Sequence, residues 1–315
     1  MTAAAKRTLH LVATCDEGFH IGLAVTVRTA LDHLASDVAL KLHVLGLGWK
    51  RQTREKIRKT LANAGHEAVI YETPDAPYGK KFADALHRSH IKDHRSLCYF
   101  AKLLLPDLLP TADRCLFLDS DIYVNRDLAE LYFQPFAKYP LKAVPDMASL
   151  GSPGGIRQFA CVGLDRDAPY FNAGMFLMDL DYWRRQKLAD QALVLIERTA
   201  AAFAAHTPAL QLEDQTLLNL LYFNNWEQLG VEWNRQAPYR CGIVGELREN
   251  RRYLFHYLTR PKPWEEPYCD DAKEFYDALD RTAFAGWRPH RFWSGLRAKL
   301  SYQKYLLWKW LHRKS

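Results

Sequence analysis

Two hydrophobic periods alternate along the chain. Residues 9–14 (LHLVAT), 40–47 (LKLHVLGL) and 67–71 (EAVIY) are short apolar or alternating stretches of the kind that forms strands, while residues 23–31 (LAVTVRTAL) and 50–64 repeat apolar side chains at helical spacing. Strands separated by helices predict parallel pairing, because a parallel pair needs a long crossover. Residues 99–106 (YFAKLLLP) predict a helix that carries Lys102 towards the end of the next apolar run, 115–118 (CLFL), which stops on Asp119, Ser120 and Asp121. Further on, the pattern predicts a short helix near 128–133, a strand over 141–146 ending on Asp146, and a buried strand over 170–178 (YFNAGMFLM). One helix from 182 to about 205, a helix over 213–219 and a short strand over 253–257 complete it. The chain is therefore expected to be α/β, with a mainly parallel sheet flanked by helices.

Composition narrows the class. At 315 residues with 48% hydrophobic content, the chain can bury the core of one large domain, with or without an appendage. The first residues do not have signal-peptide form, and no apolar run approaches the ~20 residues that span a bilayer, which predicts a cytoplasmic location. Cys15, Cys98, Cys115, Cys161, Cys241 and Cys269 show no CxxC spacing, and several lie in apolar runs, as reduced core thiols do.

The run ending at Asp119 and Asp121 sets two carboxylates at spacing i, i+2. Strand alternation would put both on one face, and beyond the strand end they could share a divalent cation, Mg²⁺ or Mn²⁺, with phosphate. The same residues also suit an ordinary polar turn. Asp16 follows the first strand, where the loops of a parallel sheet open on the ligand crevice and a carboxylate can accept from a base N–H; it could equally cap the next helix. Lys102 reads either as a solvated helix charge or as a cation delivered to Asp119. Neither GxGxxG nor GK[ST] occurs, which argues against a hydride-transfer dinucleotide site and a P-loop, and the glycine-rich residues 151–155 are expected to form a mobile connection. Asn172, Ala173 and Gly174 at the start of a buried strand mark a close approach of ligand or backbone. Asp214 and Gln215 open a helix, where capping competes with function. His256 ends a short strand and has a core reading beside a functional one, and Lys262 offers a diphosphate contact from a loop stiffened by Pro261 and Pro263.

In this order, Asp16, Leu118-Asp119-Ser120-Asp121, Phe171-Asn172-Ala173-Gly174, Asp214-Gln215 with Leu218-Asn219, and His256-Tyr257 with Lys262-Pro263-Trp264 resemble glycosyltransferase family 8 over about residues 8–265. That family is a retaining, metal-dependent group that includes lipopolysaccharide α-galactosyl- and α-glucosyltransferases and glycogenin. The resemblance implies a GT-A fold that binds UDP-galactose or UDP-glucose at its strand ends. It implies that Asp16 reads uracil, that Asp119, Asp121 and His256 hold Mn²⁺ or Mg²⁺, and that Lys262 contacts the diphosphate. Lys102 matches a position where relatives often carry arginine, and lysine cannot make arginine's bidentate fork. Asp146, Asn172, Asp214 and Gln215 match positions lining the donor sugar and the reaction centre. Thr259 stands where the family's HxxG pattern has glycine. An amide such as Gln215 is a poor nucleophile, which favours same-face substitution through a short-lived ion pair, with Asp214 as nucleophile the competing route. The expected activity is hexosyl transfer to a lipopolysaccharide or other lipid-linked glycan. A self-glucosylating primer of the glycogenin kind and an inactive UDP-sugar-binding membrane scaffold are the alternatives.

Charge adds one more unit. Residues 281–315 hold nine Lys or Arg and no Asp or Glu, so this tail carries +9 and the rest of the chain a net −2. The basicity belongs to the tail and is no reason to expect a nucleic-acid partner. The expected division is a catalytic domain over 1–280 and a basic helical tail over 281–315. Leu296, Leu300, Leu307 and Leu311 interleave with Tyr302, Tyr305, Trp308, Trp310, Lys299, Lys304 and Lys309. That mixture predicts a helix lying flat on an anionic membrane through residues 286–315, which would make the protein peripheral at the inner face of the cell membrane.

Overall fold

A computed structural model describes residues 6–62, 66–72, 79–89, 100–147, 160, 163–165, 167–206, 214–238, 252–258, 260–265 and 272–289. Ten strands are named here in chain order: β1 Arg7–Asp16, β2 Val38–Leu47, β3 Glu67–Glu72, β4 Arg114–Leu118, β5 Ile122–Val124, β6 Leu141–Pro145, β7 Phe171–Asp179, β8 Glu227–Gln228, β9 Arg235–Pro238 and β10 Leu254–Leu258. The main helices are α1 His20–His33, α2 Arg51–Ala62, α3 Gly79–Arg88, α4 Leu180–Gln186, α5 Leu188–His206, α6 Asp214–Leu221 and α7 Ala272–Leu279.

Seven strands form one sheet in the order β3-β2-β1-β4-β7-β6-β8. Pairing is parallel from β3 through β4 and again between β6 and β8; β7 alone runs against its neighbours, with Leu118 opposite Met175 and Leu141 opposite Met178. Period-two alternation sends the two sides of each strand into different cores. Leu116 and Leu118 of β4 pack with Leu9, Leu11, α1 and α7. Cys115 and Phe117 pack on the opposite face with Phe176, Trp183, Ile196 and Leu217. Phe117 and Phe176 stack across the β4–β7 pair at 4.8 Å between centroids. The result is an α/β three-layer arrangement with a mostly parallel sheet, as the periodicity predicts.

A second, three-stranded sheet, β5-β10-β9, stands beside the first. β5 follows β4 after only three residues, so the chain leaves the large sheet at Asp119, turns through Ser120 and Asp121, and joins the small sheet at Ile122. Asp119 and Asp121 are therefore on a turn between sheets and not on one face of a continuous strand. Ser120 is buried in that turn, and its hydroxyl donates to Thr14 O at 3.0 Å, tying the turn to β1. Two other expectations change. The helix over 182–205 is two helices, α4 and α5, because Lys187 takes a left-handed conformation (φ 52°, ψ 43°). Lys102 lies in a 3₁₀ turn, Ala101–Leu104, that runs into Leu105–Leu108, with Pro106 in its first turn.

Cys15 and Cys115 are buried thiols without a disulfide, and the other four cysteines lie outside the described residues. So do residues 151–155, Thr259, and the tail beyond Pro289. Among the described residues, no helix is long and apolar enough to cross a membrane.

Candidate active site

Three elements supply the site, and His256 stands in the middle of β10 and not at the end of its strand. β4 delivers Asp119, whose backbone N–H donates to Gly174 O at 2.7 Å and so fixes the chain as it leaves the sheet. The following turn delivers Asp121. β10 pairs antiparallel with β5, setting His256 opposite Ile122 beside that turn. One ligand atom from each of Asp119, Asp121 and His256 then lies within 4.8 Å of the others. His256 Nε2 is 3.2 Å from Asp121 Oδ1 and 3.8 Å from Asp119 Oδ2.

Two lysines flank the carboxylates. Lys102, 3% exposed, sets its Nζ 2.7 Å from Asp214 Oδ2 and 3.4 Å from Asp119 Oδ1, and donates to Ala173 O at 3.0 Å. Burial works against its charge, but Asp119 and Asp214 outweigh burial and hold its pKa above the ordinary lysine value. It is therefore no solvated helix charge. Lys262 donates to Asp121 Oδ2 at 2.6 Å and also to Tyr257 O. Burial alone would raise Asp121, and Lys262 with His256 reverses this, keeping the carboxyl ionised well below the usual range. Asp119 goes the other way: burial, with Asp121 and Asp214 adding to it, lifts the carboxyl above its ordinary value against Lys102 and His256.

Asp146, Asn172 and Gln215 form a polar wall next to this centre. Gln215 at the start of α6 donates from Nε2 to Asp146 Oδ2 at 2.9 Å, while its Oε1 accepts from Ala173 N at 3.0 Å and from Asn172 Nδ2 at 3.3 Å. Both ends of the amide are thus engaged. Asn219, one turn on, accepts from Phe171 N at 2.8 Å and donates to Phe171 O at 2.9 Å, locking α6 to the start of β7. Asp16 ends β1 at the same sheet edge. Its Oδ1 accepts from Gly18 N at 2.7 Å, an Asx turn that shapes the loop; α1 takes no side-chain cap.

The donor set fits a divalent cation. Two carboxylates and an imidazole converge, and Asp121 Oδ1 is a buried oxygen that accepts no hydrogen bond from the described residues. Gly174 lies against the cluster, where an added Cβ would sit 2.3 Å from His256 Cε1 and 2.9 Å from Asp119 Oδ2.

Sequence reasoning missed several supports. Asn234 links His256 to Asn172, and Gln236 accepts from Met147 N at 3.0 Å and donates to Pro145 O at 2.9 Å, holding β9 to the end of β6. Gly22 of α1 is the contact of that helix with the aspartate turn, since a Cβ there would be 2.3 Å from Ser120 O and 2.6 Å from the Trp264 ring. The buried small residue within a helical apolar run was the signal for Gly22. Asn234 had none, because a single Asn before a short strand has many uses.

Comparison with known proteins agrees with this architecture. General stress protein A of Bacillus subtilis is 24% identical over 281 residues, which is 84% of this chain and 91% of that protein. The probable glycosyl transferase Gly of Streptococcus gordonii is 31% identical over 216 residues, covering 65% of this chain and 28% of that protein, so the chain spans under a third of that longer relative. Among solved structures, the galactosyltransferase LgtC in complex with donor and acceptor sugar analogs is similar with a TM-score of 0.67 at 20% identity, over 90% of this chain and 99% of that one. At that identity the likeness speaks for the fold, which is GT-A. The sequence pattern described as Glycosyl transferase family 8 matches residues 10–267, and the chain belongs to that family.

Proposed function

We propose that this glycosyltransferase moves galactose or glucose from a UDP-sugar to a hydroxyl of a lipid-linked glycan such as lipopolysaccharide, with retention at the anomeric carbon and with Mn²⁺ or Mg²⁺ held by Asp119, Asp121 and His256. The observation that carries this reading is the convergence of those three ligand atoms within 4.8 Å beside Lys262. When bound, a divalent cation supplies charge neutralisation for the departing diphosphate. Lys262 supplies a further positive charge to that leaving group, and Asp16, at the end of β1, accepts from the uracil base. Asp146, Asn172 and Lys102 line the donor sugar.

The wall of Asp146, Asn172 and Gln215 supports same-face substitution. Gln215 is held rigidly at both ends of its amide, and an amide is a weak nucleophile. Asp214 is paired with Lys102 at 2.7 Å, which lowers its reactivity as a nucleophile. In this route Gln215 orients, and the acceptor hydroxyl attacks from the side the diphosphate leaves, where a phosphate oxygen takes its proton. A glycosyl adduct trapped on Asp214 would overturn this route in favour of double displacement.

The decisive experiment incubates the full chain with a panel of UDP-sugars and truncated lipopolysaccharides and identifies product by mass spectrometry, with anomeric configuration read by NMR. The expected result is hexosyl product and UDP, dependent on added Mn²⁺ or Mg²⁺ and lost with Asp121→Asn. Turnover indifferent to chelation, or none with any UDP-hexose, would refute the reading. For the tail, we propose peripheral attachment to an anionic membrane at the cytoplasmic face through residues 286–315, on the charge and aromatic pattern alone.

A further inference from the structure

Asn234 is 0% exposed and lies between His256 and Asn172. Its orientation follows from the backbone. Gly174 N–H can only donate, and it donates to Asn172 Oδ1 at 3.0 Å, so that atom of Asn172 is an acceptor. The Asn234 atom 2.9 Å from the same oxygen must then be the amide nitrogen. The remaining end of Asn234 is its carbonyl oxygen, 3.1 Å from His256 Nδ1. A neutral imidazole facing that oxygen carries its proton on Nδ1, which leaves the lone pair on Nε2, the atom turned towards Asp119 and Asp121. The opposite tautomer would point an Nε2 proton at Asp121 Oδ1, 3.2 Å away, and close the gap between the two ligands.

We propose that Asn234 is a positioning residue that fixes the Nδ1–H tautomer of His256 and so keeps Nε2 available as a ligand for a divalent cation. The proposal rests on the cation reading of the Asp119, Asp121 and His256 cluster. Asn172 extends the arrangement, because its Nδ2 faces Gln215 Oε1 and Asp146 Oδ1 at 3.3 and 3.5 Å. One chain of amides therefore runs from the donor-sugar wall to the cation ligand. Partners of this outer kind are worth ten- to hundredfold in metal affinity.

The test uses the full chain and two readouts that do not require turnover. Long-range ¹H–¹⁵N spectra, recorded above the ordinary histidine pKa without metal, report the tautomer, with His256 assigned by the signal lost in His256→Gln. Mn²⁺ titration followed by electron paramagnetic resonance reports affinity. Wild type should show protonated Nδ1; Asn234→Leu should switch to protonated Nε2 and weaken Mn²⁺ about ten- to hundredfold. Asn234→Asp keeps an oxygen facing Nδ1 but loses the donor to Asn172, and should keep the tautomer and lose less Mn²⁺ affinity than Asn234→Leu. The proposal is overturned if Asn234→Leu retains either the Nδ1–H tautomer or wild-type affinity, or if Asn234→Asp loses the tautomer or as much affinity as a Leu substitution is expected to cost. A wild-type protein with the Nδ1–H tautomer and no affinity for Mn²⁺ would instead refute the cation reading while the tautomer lock stood.

Discussion

A methyl group on Gly174 would lie 2.3 Å from His256 Cε1 and 2.9 Å from both Asn172 Oδ1 and Asp119 Oδ2. Those neighbours are themselves held by Asn234, Gly174 N and Lys102, so none can move alone. Gly174→Ala should reduce hexosyl transfer and Mn²⁺ affinity together, with a stability cost of about 1–3 kcal/mol, the range for overpacking, measured by urea denaturation. Retained Mn²⁺ affinity would mean the cluster relaxes more easily than its contacts suggest. Lys102 presents a different case. Replacing it by Met leaves Asp119 and Asp214 without their shared cation and should destabilise the fold by about 3–5 kcal/mol, the loss found when one partner of a buried ion pair is removed. Lys102→Arg keeps the charge and should recover most of that stability in the same denaturation series.

Elements away from the site show where pH acts. β1, β2 and β3 pass a hydrogen-bonded row across the sheet: His10 Nδ1 to His43 Nε2 at 3.0 Å, His43 Nδ1 to Tyr71 Oη at 3.1 Å, and Tyr71 donating to Leu108 O at 3.2 Å. Burial, followed by the charges of His10 and Lys41, lowers the His43 pKa to about 3, and burial lowers His10 as well. The unfolded chain takes up the His43 proton near its ordinary pKa of 6.5, whereas the folded chain does not until about 3. Between those values the unfolded state binds more protons, so stability falls as the solution is acidified, by up to about 1.4 kcal/mol per pH unit for this one group. Urea midpoints should drop between pH 6.5 and 5, above the range where carboxylates dominate, and His43→Gln should flatten that slope. An unchanged slope in the variant would assign the acid sensitivity to other groups. At this scale most strands were legible within a residue or two, since each carries its own period. The break at Lys187 was not, because one left-handed residue leaves the helical spacing on both sides intact.

For the molecule as a whole, the first residues of the expected basic tail belong to the packed core. Phe284 is buried in the core shared with β1 and α1, Trp287 packs against that core, and Arg288 pairs with Asp280 at 2.7 Å. A truncation that keeps residues up to 289 preserves these contacts. It should retain Mn²⁺-dependent hydrolysis of UDP-hexose and lose co-sedimentation with anionic liposomes; continued co-sedimentation would sink the membrane reading. Periodicity and residue chemistry by themselves determined the α/β class, most of the order of the longer strands and helices, and which acids, amides and cations stand at element ends as candidates, because these are properties of short stretches. Tertiary structure decided how those groups are paired. Lys262 reaches Asp121 across 141 positions of sequence, Lys102 is shared between Asp119 and Asp214, and Asn234 fixes the face that His256 presents. Hydrogen bonds and ion pairs of this kind depend on how two sheets and a turn pack, and nothing in local spacing encodes that packing.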